Sequence, residues 1–265
     1  MSRSNTNRIN SVFITIRSDQ GFQCYTSSSK MKHIFKVVQA AMLAALWLAS
    51  GYADAKDSTI VRDIDGNVYR TVSIGKQEWI AENLKTTTHN NGKKIPQVTD
   101  SSIWVSMNTG AYCRYNNEEN CADSMGLLYN WYAVNTGDLC PCGWRVPSDE
   151  DWKYLEGYVD SLYHVGNLVW NEKGLRGYDA GTKLKAVFGW RPGGSFSDAF
   201  GFSALPGGER LSSFHGFGTS GFWWSSTEND SDSAWYRNIV YSLESVARNT
   251  HPKRMGFSVR CVREK

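Results

Sequence analysis

Pro147-Ser148-Asp149-Glu150-Asp151-Trp152 carries the strongest local signal in the chain and fixes where its main helix begins. Ser148 can cap the first turn, and Asp151 follows three residues later as a capping box requires. Three carboxylates near the start suit the positive end of the macrodipole. Trp152, Leu155 and Val159 then fall at i, i+3 and i+7, a stripe that belongs in a core. The same acids also match a paired-carboxylate acid/base centre, but capping accounts for all three. Elsewhere the pattern is short alternating runs between Gly turns. Ile60-Val61-Arg62 and Val68 to Ile74 flank Asp65-Gly66-Asn67, and Gly75-Lys76 leads into Gln77 to Ile80, which reads as a β-meander. Residues 85–125 are polar, with turns at Asn90-Asn91-Gly92 and Asn116-Asn117, and read as a loop region. Beyond Trp190, strands are expected at Gly201 to Leu205, Phe222 to Ser226, Trp235 to Val240, Val246 to Asn249 and Gly256 to Arg263. No repeat of 20 to 50 residues recurs. The sum is an α+β domain with a mostly antiparallel sheet, one or two helices and long loops.

The N-terminal fifth has a different character. Met31, Lys32, His33 and Lys36 precede an apolar run from Val37 to Ser50 broken only by Gln39, and Ala53-Asp54-Ala55 supplies a small-x-small cleavage pattern. Residues 31–55 therefore read as a secretory signal peptide cut after Ala55. A membrane anchor fits less well, because 14 residues rise only about 21 Å against a hydrocarbon core of roughly 30 Å. Residues 1–30 are polar and precede an internal Met that opens a complete signal, so they read as a mis-called N-terminal extension. The mature protein, 56–265, is expected to be secreted or held at the cell surface or envelope, without a membrane span. It keeps 23 basic against 24 acidic residues, a balance that gives no basic patch for phosphates and argues against nucleic acid as a partner.

Export makes the cysteines interpretable, since disulfides persist outside the cytoplasm. Cys24 falls in the discarded segment, leaving Cys113, Cys121, Cys140, Cys142 and Cys261. An odd count leaves at least one free or intermolecular thiol. Cys140-Pro141-Cys142 lacks the second Cys or His pair of a structural zinc site, so no metal is assigned. There is no G-x-S-x-G and no H-E-x-x-H, and His89, His164, His215 and His251 are scattered, so no catalytic residue and no cofactor are assigned. Gly216-Phe217-Gly218-Thr219-Ser220-Gly221 matches G-x-G-x-x-G, but Phe222-Trp223-Trp224 after it reads as strand, where a dinucleotide site needs a helix. Glu228 to Asp232 clusters oxygens of the kind calcium prefers and reads as a solvated loop. The aromatic excess is the most suggestive feature. Successive strand residues point to opposite faces, so Trp223 and Trp224 cannot enter one core together, nor can Trp235 and Tyr236. Either both sheet faces are covered, or rings among these four residues stay open as a platform for a ligand such as sugar. Phe257, Val259 and Cys261 share an apolar, buried-looking face of the last strand.

Three sets of blocks in order resemble the Fibrobacter succinogenes major paralogous domain family. The opening is Asp63-Ile64-Asp65-Gly66-Asn67-Val68-Tyr69 with Trp79-Ile80-Ala81-Glu82-Asn83-Leu84; the middle is Gly126-Leu127-Leu128-Tyr129-Asn130-Trp131-Tyr132-Ala133 and Gly143-Trp144-Arg145-Val146-Pro147-Ser148. The ending is Gly201-Phe202-Ser203-Ala204-Leu205-Pro206, Trp223-Trp224-Ser225-Ser226-Thr227 and Gly256-Phe257-Ser258-Val259-Arg260-Cys261. The skeleton is similar, more distantly, to C-type-lectin-like folds of the formylglycine-generating-enzyme branch. That resemblance implies a domain whose termini meet in one sheet, a bridge from Cys140 to Cys261, and another from Cys113 to Cys121. Cys142 departs from the pattern and is the candidate odd thiol, unless it exchanges with Cys140; Arg145 stands where the family often has His. The enzymes of that branch use a late cysteine pair near a Trp-rich block, whereas Trp223 to Glu228 holds no Cys, and the sugar-binding calcium motifs of true C-type lectins are missing. The expected function is a secreted, non-catalytic lectin-like binding domain with polysaccharide the leading partner and a cell-surface protein the next. The alternatives are a formylglycine-generating-type enzyme and a structural envelope protein.

Overall fold

A computed structural model describes residues 60–264. The signal peptide and the N-terminal extension lie outside the described residues. The expected meander forms as β1 (Ile60–Arg62), β2 (Val68–Ile74) and β3 (Gln77–Ile80), all antiparallel. Gly75 turns β2 into β3 at a φ of 59°, a conformation that a side chain rarely adopts. The last strand, β12 (Val262–Glu264), adds to β3, so the two ends of the described domain share one four-stranded sheet.

The region from 85 to 125 is not simply loop. Asp100 caps a short helix, α1 (Ser101–Ser106), by accepting from the Ile103 N–H at 2.9 Å. It is followed by β4 (Tyr112–Cys113), a 3-10 turn (Tyr115–Asn117), α2 (Glu119–Met125), β5 (Leu128–Tyr129) and α3 (Trp131–Val134). The main helix, α4 (Asp149–Val159), begins where its signal lies. The Ser148 Oγ accepts from the Asp151 N–H at 3.2 Å, and the Asp151 carboxylate accepts from the Ser148 N–H at 2.7 Å. Arg145 donates to the same carboxylate, at 2.9 Å to Oδ1. Trp152, Leu155 and Val159 are buried, as their spacing requires. A 3-10 turn (Leu168–Asn171), β6 (Gly174–Arg176) and α5 (Ala180–Leu184) follow, giving five short α-helices among the described residues where one or two were expected.

Capping does not account for all three acids of α4. Asp151 closes the box, Glu150 pairs at the surface with Lys153, and Asp149 does something else. It accepts from Arg237 at 2.7 Å and from Arg248 at 2.7 Å, while Glu156, seven residues on along the same helix face, accepts from Arg237 at 2.6 Å and from Arg176. Arg176 lies on β6, Arg237 on the strand Ser233–Val240 and Arg248 on the strand Val246–Pro252, so this buried network ties the helix to three strands. Burial works to raise the Asp149 carboxyl, but Arg248 and Arg237 hold it well below the usual carboxylate range.

The strands β7 (Gly207–Arg210), β8 (Phe214–Phe217), β9 (Ser220–Glu228), β10 (Ser233–Val240) and β11 (Val246–Pro252) join β6 in a six-stranded sheet of order β6-β11-β10-β9-β7-β8. Its pairings are antiparallel except β7 with β9. Each face of this sheet carries a core. On one, Trp224 packs with Tyr129, Trp131, Phe257 and the Cys140 and Cys261 side chains; on the other, Trp223 packs with Trp79, Trp152, Trp170 and Phe202. Both faces of the sheet are therefore covered, one by each Trp. A ring that buries roughly 200 Å² contributes about 5 kcal/mol at about 25 cal/mol per Å² before ordering costs, so two adjacent Trp rings anchor both layers.

Two expected strands differ. Residues 201–205 form no strand: Ser203 has a φ of 53° and Ala204 makes a single bridge to Lys185. Residues 256–263 touch β5, β7 and β9 through isolated bridges before β12 begins. The Cys140–Cys261 bridge is present, with Cα atoms 5.9 Å apart, and joins the approach to α4 to the end of the chain. The Cys113–Cys121 bridge is not. Cys113 is a free thiol on β4, buried with Trp104, Ala111 and Leu128, and Cys121 is engaged elsewhere. Burial pushes the Cys113 thiol up to about 11, with Arg210 beside it acting the other way. Cys142 is free and exposed. Among the described residues no helix is long and apolar enough to cross a membrane.

Candidate functional site

The four aromatic residues expected to form a ligand platform do not do so together. Trp223 and Trp224 are 0 % exposed and each is spent on a core. Their indole N–H groups donate to the Asn83 side chain and to the Tyr129 carbonyl, both at 2.9 Å. Trp235 is half-buried, but the Arg248 guanidinium lies 3.4 Å from its ring centroid and the Lys173 ammonium 4.9 Å. That ring is covered by cations that belong to the fold, not held open for a sugar. Tyr236 alone of the four borders a group of unsatisfied polar atoms.

That group forms a row across β8, β7, β9, β10 and β11. Glu209 of β7 stands opposite His215 of β8, and the pairing of Gly208 with Gly221 sets Glu209 beside Phe222 of β9. Phe222 packs on the same core face as Trp224, two residues on, and its ring lies 6.2 Å from that of Tyr236 on β10. The His251 ring on β11 lies 5.4 Å from Tyr236. Phe257 floors the row, 5.3 Å from Phe222, 4.9 Å from Tyr236 and 5.9 Å from His251. The rings of Phe217, two residues after His215, and of Tyr115 from the 3-10 turn lie 4.8 Å apart and tilted by 39°, and the Glu209 charge acts on the Tyr115 phenol. Glu209, Phe217, Phe222 and His251 are all half-buried, so the row borders solvent.

Its electrostatics are unusual for this protein. The Glu209 Oε2 and the His251 Nδ1 are buried and have no hydrogen-bond partner. A polar atom left so costs about 1–3 kcal/mol. Burial raises the Glu209 carboxyl, with His215 acting against it, and lowers the His251 imidazole. Burial first, and the Glu209 charge second, raise the Tyr236 phenol, while the Asn249 side chain tempers it. His215 reaches the Ser213 Oγ at 2.7 Å. The row thus offers a carboxylate acceptor, an imidazole nitrogen, a phenol and ring faces, the groups that grip a polar ligand with apolar edges.

Other candidates are built into the fold. An open depression of about 580 Å³ lies among Gly143, Trp144, Arg145, Val262, Arg263 and Glu264, next to Cys142. Arg145 is held there by Asp151 and Arg263 by Glu78 at 2.8 Å. The Gly216 to Gly221 motif forms the β8–β9 turn. In the acidic loop, the Asp230 carboxylate accepts from its neighbours Asn229, Asp232 and Ser233, and Glu228 pairs with Lys253.

Residues 72–263 match the family model of the Fibrobacter succinogenes major domain. The chain belongs to that family. The match runs from within β2 to within β12 and so contains the whole six-stranded sheet and the polar row. No curated protein and no solved structure matches the chain. In this family member Glu209, Phe222 and His251 escaped sequence reasoning because the row joins residues from separate strands. The one available signal was two histidines and a glutamate placed within strands that otherwise read as apolar or Gly-rich.

Proposed function

We propose that this Fibrobacter succinogenes major domain is an exported, non-catalytic binding module, secreted or held at the cell envelope, whose ligand site is the row from Glu209 to His251. Glycan is the leading ligand class and a cell-surface protein the next. The observation that carries the reading is the pair of buried, unpartnered atoms, Glu209 Oε2 and His251 Nδ1, set around the Phe222 and Tyr236 rings. Sugars present hydroxyls that can reach the half-buried Glu209 and His251 side chains, and C–H faces that stack on rings. Export rests on the segment from Met31 to Ala55, whose form is that of a signal peptide. The test is retention on insoluble polysaccharides together with a glycan array. Wild-type protein is retained, Glu209→Ala and His251→Ala lose at least tenfold, and Trp235→Ala behaves as wild type. Absence of retention on every polysaccharide and glycan removes the sugar reading.

A further inference from the structure

The half-buried carboxylate of Glu209 differs from the other carboxylates that the fold encloses. Asp149, Asp151 and Glu156 each meet at least one guanidinium, and Glu78 meets Arg263. Asp63 and Asp160 have no such cation, but their oxygens accept from backbone N–H groups and, for Asp63, from the Asn67 amide and the Tyr69 hydroxyl. Among the described residues, Glu209 Oε2 is the only buried carboxylate oxygen without a hydrogen-bond partner, and no ion pair of the fold includes Glu209. Its directly facing titratable neighbour, His215, already contacts Ser213 and stands at the exposed edge. The Glu209 charge acts on the Tyr115 and Tyr236 phenols, Phe222 stands beside Glu209 in the strand register, and Phe217 contacts Tyr115.

We infer that the ligand presents a protonated amine to Glu209, as a glycan of deacetylated amino sugars does; this rests on the glycan reading above. A neutral ligand settling over the row would cut this half-buried side chain off further from solvent and leave its charge unpaired, which is costly. An ammonium instead completes a charge-assisted hydrogen bond and is attracted to the surrounding rings. The sugar ring that carries the amine then lies over Phe222, and a neighbouring hydroxyl reaches His251. The site selects amino sugar over N-acetylated or neutral sugar by roughly tenfold or more, the range set by one charge-assisted contact.

The experiment is isothermal titration of the full exported protein, wild type and Glu209→Gln, with four probes: a fully deacetylated glucosamine hexasaccharide, its fully N-acetylated counterpart, a neutral cello-hexasaccharide, and a lysine-bearing peptide of similar length. The expected result is binding of the deacetylated sugar at least tenfold tighter than the acetylated and neutral ones, with that preference abolished in Glu209→Gln. Equal affinity for all three sugars overturns the amine inference and leaves the glycan reading standing. Binding of the peptide alone overturns the sugar source, and binding of none of the four overturns both. The wild-type ranking decides the matter even where Glu209→Gln folds poorly.

Discussion

Glu156→Gln is the substitution that most sharply probes how the helix is fixed to the sheet. Glu156 and Arg237 are fully buried, Arg176 is 1 % exposed at its side chain, and both guanidiniums converge on this one carboxylate. Glutamine keeps the volume but turns an N–H₂ group toward donors and removes one of the two negative charges that face Arg176, Arg237 and Arg248. Arg176 is already lowered to about 10 by burial, with Glu156 the main influence raising it again. Breaking a buried pair by removing one partner costs about 3–5 kcal/mol. For a domain of this size each kcal/mol moves Tm by about 2–4 °C, so the expected drop is about 6–20 °C. The control is Arg70→Gln, which breaks the pair with Glu82 at side chains 60 % and 25 % exposed, and such surface pairs contribute about 0–1 kcal/mol. Differential scanning calorimetry of both variants reads the contrast. A Glu156→Gln domain that melts within about 2 °C of Arg70→Gln would refute the assignment of the network as the clamp between α4 and the sheet.

Three further outcomes are expected. Replacing Cys140 and Cys261 together by Ala opens a loop closed over 121 residues; loop-closure entropy puts the loss near 5 kcal/mol, and urea denaturation that shows under about 1 kcal/mol contradicts it. Native protein treated with a maleimide labels at Cys142, while Cys113 reacts only after unfolding because it is buried and its thiol is pushed up to about 11; rapid native labelling at Cys113 contradicts its placement. Binding of the deacetylated sugar weakens as pH falls through the raised pKa of Glu209, above the ordinary 4.5, because the protonated carboxyl no longer attracts the ammonium. The charged or titratable groups facing it are Tyr115 from the 3-10 turn, His215 from β8 and Tyr236 from β10. The same raised pKa stabilises the unliganded domain as pH falls through that range, since the folded state then holds the proton more tightly. A pH-independent affinity down to pH 4.5, measured by titration in wild type, contradicts the role of the charge.

Local chemistry made some of the fold legible. The Ser148 box, the α4 stripe and the Gly-punctuated meander are set by residues within one or two turns of each other, so sequence alone places them. Asp149 looked equally local and was not: its partners Arg237 and Arg248 are brought to it by two distant strands. The helix at Ser101–Ser106 had a readable cap in Asp100, hidden inside a stretch dominated by turn residues. Alternation gave the correct choice between two outcomes for Trp223 and Trp224 but could not select covered faces over exposed rings, because that depends on what packs above each face. The polar row was the least legible of all. Its members come from five strands, and what distinguishes Glu209 is the lack of a partner, which no spacing in the chain encodes.

The most direct test of the row as the binding site is to follow the imidazole proton resonances of the exported protein while the deacetylated hexasaccharide is added. His251 and His215 lie on the row, whereas His89 near Thr136 and His164 beside the turn at Asn167 lie elsewhere. Saturable shifts at His251 and His215, with His89 and His164 unmoved, are expected. Saturable binding that moves His89 or His164 and leaves His251 still would place the site somewhere else and contradict the account.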